Sequence, residues 1–130
     1  MKPEFLTRLV VTPYAEDKWF LDKPLKYATL YFGTPRTFTV PAEVFPTDLA
    51  SIPWLVRPFI RKSADTHAAA VIHDWLTYRN PKFKKKGLDG ITRADADKIF
   101  LEALLINGVP PLKAHIMYNA VRAFSFTVKR

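Results

Sequence analysis

The run Ala68-Ala69-Ala70-Val71-Ile72-His73-Asp74-Trp75-Leu76 constrains the fold more than any other part of this chain, because it sets an imidazole and a carboxylate side by side in an otherwise apolar stretch. Such a run predicts a helix buried over most of its surface. Burying a polar group costs roughly 2 to 7 kcal/mol when no hydrogen-bond partner comes with it. Other elements must therefore bring partners to His73 and Asp74. Those partners form either a structural network or a site that does chemistry.

The bounds on the answer are narrow. At 130 residues the chain is expected to be a single domain, 1–130, long enough for a real core. Its composition, 48% hydrophobic and 14% aromatic, exceeds what disordered chains carry and predicts compact folding. With no cysteine, a disulfide scaffold and any thiolate metal site are excluded. No apolar run approaches the ~18 residues that a membrane-spanning helix needs. Met1-Lys2-Pro3-Glu4 does not open a signal peptide, so secretion is not expected.

The formal net charge is +8. A basic balance suits nucleic acid, an anionic lipid surface or an acidic protein partner. No zinc-ligand spacing, aromatic ribonucleoprotein pattern or helix-turn-helix signature is present, so nucleic acid has no support beyond charge. The densest cationic cluster is Lys82, Lys84, Lys85 and Lys86, flanked by Pro81, Gly87 and Gly90. It reads first as a solvated connector between helices, and second as a surface facing substrate or partner.

The character of the chain changes once. Residues 1–45 are β-rich: Phe5–Val11, Lys18–Leu21, Ala28–Phe32 and Arg36–Val40 are short, aromatic and β-branched, punctuated by Pro13, Pro24, Gly33-Thr34-Pro35 and Pro41. Residues 46–62 read as a loop or short helix, and 63–130 as helical. Strands followed by helices predict an α+β fold, a small antiparallel sheet packed against about three helices. The first helix spans Ser63 or Asp65 to Tyr78. The second opens at Thr92-Arg93-Ala94-Asp95, a capping box with Asp for Glu, and closes at Asn107-Gly108. The third begins at Pro111, with Leu112, Ile116, Met117, Ala120 and Phe124 forming a stripe expected to face the core.

Helical geometry sorts the acids of the second helix. Asp97 shares a face with Phe100, Leu101 and Leu104, whereas Asp95 falls near Lys98 and Glu102 on the polar side. Asp97 thus points inward, and His73 is its expected partner. In a catalytic reading, Asp97 accepts from one ring nitrogen of His73 and raises the basicity of the other, giving a general base for water. Asp74, about 100° further around the first helix, would hold a hard cation that polarises the substrate. In a structural reading the same pair staples two helices and Asp74 meets a backbone amide or Arg79. Spacing alone leaves both open.

Phe45-Pro46-Thr47-Asp48-Leu49-Ala50-Ser51-Ile52-Pro53 is a second constellation. Asp48 and Ser51 fit a helix cap or Asx-turn; alternatively Asp48 joins Asp74 as a metal ligand. Ser51 lacks the strand–elbow–helix setting of a nucleophile. His67 and His115 read as surface or satisfied core residues.

In order along the chain, Val40-Pro41-Ala42, Thr47 to Pro53, Ala69 to Leu76, Ala96-Asp97-Lys98-Ile99-Phe100, Gly108-Val109-Pro110 and Met117 to Ala123 resemble a family of small proteins of unknown function common in tailed bacteriophages and prophages. The family has a glycine turn where Glu43-Val44-Phe45-Pro46 stands here, and its His-Asp-Trp-Leu-Tyr becomes His73-Asp74-Trp75-Leu76-Thr77-Tyr78. Over about 30 residues, the His-Asp helix followed by an Ala-Asp helix is also similar to the core of phospholipases A2. That resemblance implies His73 as base, Asp74 as calcium ligand and Asp97 as support for the histidine, although the glycine-rich calcium loop of those enzymes is missing.

Two functions follow as expectations. One is a metal-assisted hydrolase of lipid or cell-envelope esters. The other is a non-enzymatic virion component, tail- or head-associated, in which the pair is structural. Expected partners are other phage proteins or an anionic lipid or envelope surface, and the expected location is the bacterial host cytoplasm or the virion.

Overall fold

The computed structural model describes residues 2–15, 18–42, 46–47, 64–77 and 91–125. They form an α+β arrangement. Strands β1 (Glu4–Phe5), β2 (Val11–Ala15), β3 (Lys18–Leu21), β4 (Leu25–Thr29), β5 (Arg36–Val40) and β6 (Pro46–Thr47) precede helices α1 (Ala64–Thr77), α2 (Arg93–Ile106) and α3 (Pro111–Ser125). The strands make two three-stranded antiparallel sheets, ordered β1-β4-β5 and β2-β3-β6, rather than one.

Period-2 alternation explains the first sheet. Leu25, Tyr27 and Thr29 point inward, and the register sets Leu25 opposite Val40 and Tyr27 opposite Phe38. Cross-strand pairs of this kind are the unit of sheet stabilisation. On the other side of β4, Phe5 of β1 lies opposite Tyr27, with ring centroids 4.6 Å apart. The strand expected over Ala28–Phe32 thus lies earlier, and Tyr31-Phe32 belongs to the turn at Gly33, whose φ of 86° suits glycine.

The strand expected over Phe5–Val11 divides into β1 and β2, and β2 runs through Pro13. Proline is tolerated there because β2 is an edge strand, where a missing donor leaves no neighbouring acceptor unmet. The pairing of β2 with β3 shifts register between Pro13 and Ala15.

The three helices lie where periodicity and capping place them. From Thr66 to Thr77 every residue of α1 is buried, as its apolar run requires. At the start of α2, Thr92 Oγ1 accepts from the Asp95 amide at 3.1 Å, and the Thr92 amide donates to Asp95 Oδ2 at 3.1 Å. Its end is a Schellman motif: the Val109 amide donates to Leu104 O, the Gly108 amide to Leu105 O, and Gly108 adopts φ 88°.

Helix α3 corrects one expectation. Its inward stripe is Ala114, Met117 and Val121, while Leu112 is 76% exposed and Ile116 59% exposed. Spacings of three and four residues from Ala114 reach Met117 and Val121, and the same rotation carries Leu112 and Ile116 to the outer side. The core joins Leu21, Leu25, Tyr27, Phe38 and Val40 of the sheets to Val71, Ile72 and Trp75 of α1 and to Ile99, Phe100 and Leu104 of α2. No helix among the described residues is long and apolar enough to cross a membrane.

Candidate active site on the helical layer

Helix α1 carries His73 and Asp74 on a surface that is buried all round, so both side chains enter the core by construction. Helix α2 turns Asp97 inward with Phe100, Leu101 and Leu104, all four buried. The two helices pack face to face. His73 Nε2 and Asp97 Oδ1 stand 2.5 Å apart, and neither side chain has exposed surface. The Phe100 ring lies beside the imidazole, centroids 5.3 Å apart. One turn on, Thr77 Oγ1 donates to the His73 carbonyl at 3.0 Å, and to that of Asp74 at 3.2 Å.

Two cations complete the cluster. Arg93 Nε donates to Asp97 Oδ1 at 3.2 Å, and Arg122 Nη1 donates to Asp97 Oδ2 at 2.7 Å. Both guanidinium side chains are mostly buried but reach solvent, at 19% and 26% exposure. A fully buried carboxylate therefore takes donors from all three helices: His73 of α1, Arg93 of its own α2, and Arg122 of α3.

Electrostatics fixes the proton. Burial pushes the Asp97 carboxyl up, but the His73 hydrogen bond, the Arg122 hydrogen bond and the Arg93 charge outweigh it and hold the group below its ordinary value. Desolvation is the largest influence on His73 and, aided by the Arg93 charge, lowers its pKa despite the pull of Asp97. At neutral pH the pair is thus an ionised carboxylate and a neutral imidazole. An ionised carboxylate only accepts, so the His73 proton sits on Nε2 and the lone pair on Nδ1.

Asp74 follows His73 on α1, and its side chain is also fully buried. Among the described residues, no three His, Asp, Glu or Cys side chains converge to hold a metal ion. Asp48, Ser51 and the lysines Lys82, Lys84, Lys85 and Lys86 lie outside the described residues. His67 is buried edge-on against Trp19, centroids 4.5 Å apart, and exposed His115 donates from Nδ1 to the Pro111 carbonyl at 2.8 Å.

Sequence reasoning did not single out Arg93, Arg122 or Glu102. Arg93 stands four residues before Asp97 on one helix, a spacing that signals contact. Arg122 carries no local signal, since only packing of α3 brings it to Asp97. Helical spacing puts Glu102 on the polar side of α2. It instead accepts from Tyr27 Oη and Thr29 Oγ1, both at 2.6 Å, and ties β4 to the helix.

A family model described as "Protein of unknown function (DUF1353)" matches residues 19–121. This chain belongs to the DUF1353 family. The matched stretch contains His73, Asp74, Arg93 and Asp97 and stops one residue short of Arg122. The chain is 34% identical over 80 residues to the uncharacterized protein y4iH of Sinorhizobium fredii (strain NBRC 101917 / NGR234). The alignment covers 60% of this chain and 30% of that protein, so the chain spans under a third of its relative's length. No solved structure matches this DUF1353 chain.

Proposed function

We propose that this DUF1353 protein is a phage- or prophage-encoded hydrolase of lipid or cell-envelope esters that uses His73 as general base and Asp97 as its orienting carboxylate. The observation that carries the reading is the His73 Nε2–Asp97 Oδ1 contact at 2.5 Å, which commits one ring nitrogen to the carboxylate and leaves the basic lone pair on Nδ1. A water aligned at Nδ1 would give up its proton as its oxygen adds to the ester carbonyl. The imidazolium so formed would return that proton to the departing alkoxide, with Asp97 ionised throughout. Arg93 and Arg122 keep Asp97 from rotating away and from taking up the proton itself.

The phage origin rests on the ordered motifs between Val40 and Ala123, and the lipid reading on the phospholipase-like pairing of His73, Asp74 and Asp97. Asp74 is the residue that would hold a divalent cation such as calcium, and Asp48 is the second ligand expected from sequence. A cation there would polarise the ester carbonyl. One described carboxylate does not make a cation site, so the proton relay is drawn without it.

The full burial of the dyad favours a second reading, in which Asp97 is the bolt of a three-helix tie and the protein is a virion component bound to other phage proteins. Turnover of phosphatidylglycerol vesicles, with and without calcium, separates the two. The first reading predicts ester hydrolysis that His73→Gln lowers by about 10²-fold or more while the variant stays folded. Full activity in folded His73→Gln overturns it. Absence of turnover in the wild type, together with co-purification with phage particles, establishes the second.

A further inference from the structure

A separate cavity of about 580 Å³ opens on the strand side of the molecule, lined by Thr7, Arg8, Val10, Lys23, Pro24 and Lys26. None of these residues belongs to the Asp97 cluster. Among the described residues, three cationic side chains line this concavity and no acidic residue does. The neighbouring acid, Asp22, is engaged elsewhere: both its carboxylate oxygens lie 2.8 Å from Thr12 Oγ1.

The backbone around the cavity is cross-linked. Thr7 Oγ1 donates to the Pro24 carbonyl at 3.0 Å and accepts from the Lys26 amide at 2.8 Å. The Leu6 amide donates to Lys26 O, and at the far end the Asp22 amide donates to Val10 O, both at 2.8 Å. The β1–β2 connection and the β3–β4 turn are thereby held together at both ends, and the stems of Arg8, Lys23 and Lys26 start from fixed positions. Like charges around one concavity favour an anion between them. The arginine fork suits two oxygens of a tetrahedral anion, and the lysines add point charge.

We infer that this cavity binds the phosphate group of a small phosphate ester through Arg8, Lys23 and Lys26, with Val10 and Pro24 against its organic body. The volume lies within the roughly 300 to 1,000 Å³ of ligand pockets and exceeds what a bare phosphate fills. Phosphate of this kind comes either from a soluble metabolite or from a lipid headgroup.

Amide NMR of the full chain, titrated with inorganic phosphate and with glycerol 3-phosphate against sodium chloride at matched ionic strength, tests the site. The expected result is saturable shifts at Thr7, Arg8, Lys23 and Lys26, tighter for the ester. Arg8→Gln/Lys26→Gln should weaken binding at least tenfold, and since both side chains are exposed the variant should unfold at the wild-type temperature. Shifts that match sodium chloride, or equal binding by the double variant, overturn the site. Sedimentation with phosphatidylglycerol vesicles that the double variant loses assigns the phosphate to a lipid headgroup. Saturable glycerol phosphate binding without sedimentation assigns it to a soluble ester.

Discussion

Two carboxylates on α2, Asp97 and Glu102, solve the same burial problem in different ways. Asp97 is fully buried between helices and draws charge: two guanidiniums and an imidazole N–H. Glu102 is half-buried against the first sheet and draws neutral donors: Tyr27 Oη, Thr29 Oγ1 and, at 3.3 Å, the Leu30 amide. Where water still reaches a carboxylate, hydroxyls suffice. Where it does not, the charge has to be matched. The comparison also separates their effects on partners. Glu102 lies against a buried phenol, and burial together with the bond to Glu102 pushes the Tyr27 hydroxyl far above its ordinary range. Asp97 instead fixes the tautomer of a ring that burial keeps neutral.

Removing each carboxylate sharpens that contrast. Asp97→Ala removes the carboxylate shared by a buried imidazole and two guanidiniums, and is expected to cost about 3 to 5 kcal/mol in urea unfolding. Glu102→Ala leaves the Tyr27 and Thr29 hydroxyls unmatched and should cost about 1 to 3 kcal/mol by the same measurement. A Glu102→Ala loss as large as that of Asp97→Ala would break the distinction between charge-matched and neutral burial. The smallest effect belongs to the third acid of α2. Asp95 closes the capping box with Thr92 and also accepts from Tyr31 Oη at 2.9 Å, and Thr92→Ala, which removes the cap alone, should cost about 1 kcal/mol. A larger loss would mean that the cap positions Asp97 as well as closing the helix.

These three acids also mark what was legible in the chain. Thr92 and Asp95 follow a local spacing rule, so the start of α2 and its capping box are readable directly. Asp97 and His73 each sit at an inward position of an apolar stripe, so their meeting follows from period alone. Glu102 is different: its partners lie more than 70 residues earlier on β4, and only the tertiary fold turns an apparently solvated residue into a tie. Arg122 escaped for the same reason. Pro13 concealed β2 because its penalty disappears only at an edge, which sheet order decides. Leu112 and Ile116 misled because apolar residues at helical spacing fit two faces of α3, and packing chose the one with Ala114, Met117 and Val121.

The neutral His73 has a consequence for pH. Its folded pKa lies below the ordinary 6.5, so above 6.5 its contribution to stability is fully present. As pH falls below 6.5 the unfolded chain takes up the proton first. Stability then declines until the folded value is passed. Asp97 is also depressed, from 3.8, and adds a second loss at lower pH. His73→Gln should flatten the first decline and leave the second.

The most direct test of the central claim is ¹⁵N NMR of the His73 ring from pH 8 to pH 4. The account predicts a proton on Nε2, a lone pair on Nδ1 and titration below 6.5, with the Nε2 proton retained throughout. A proton on Nδ1 at neutral pH would contradict it, because the remaining lone pair, on Nε2, would face Asp97 and not a substrate water; titration above 6.5 would contradict the claim that burial keeps the ring neutral.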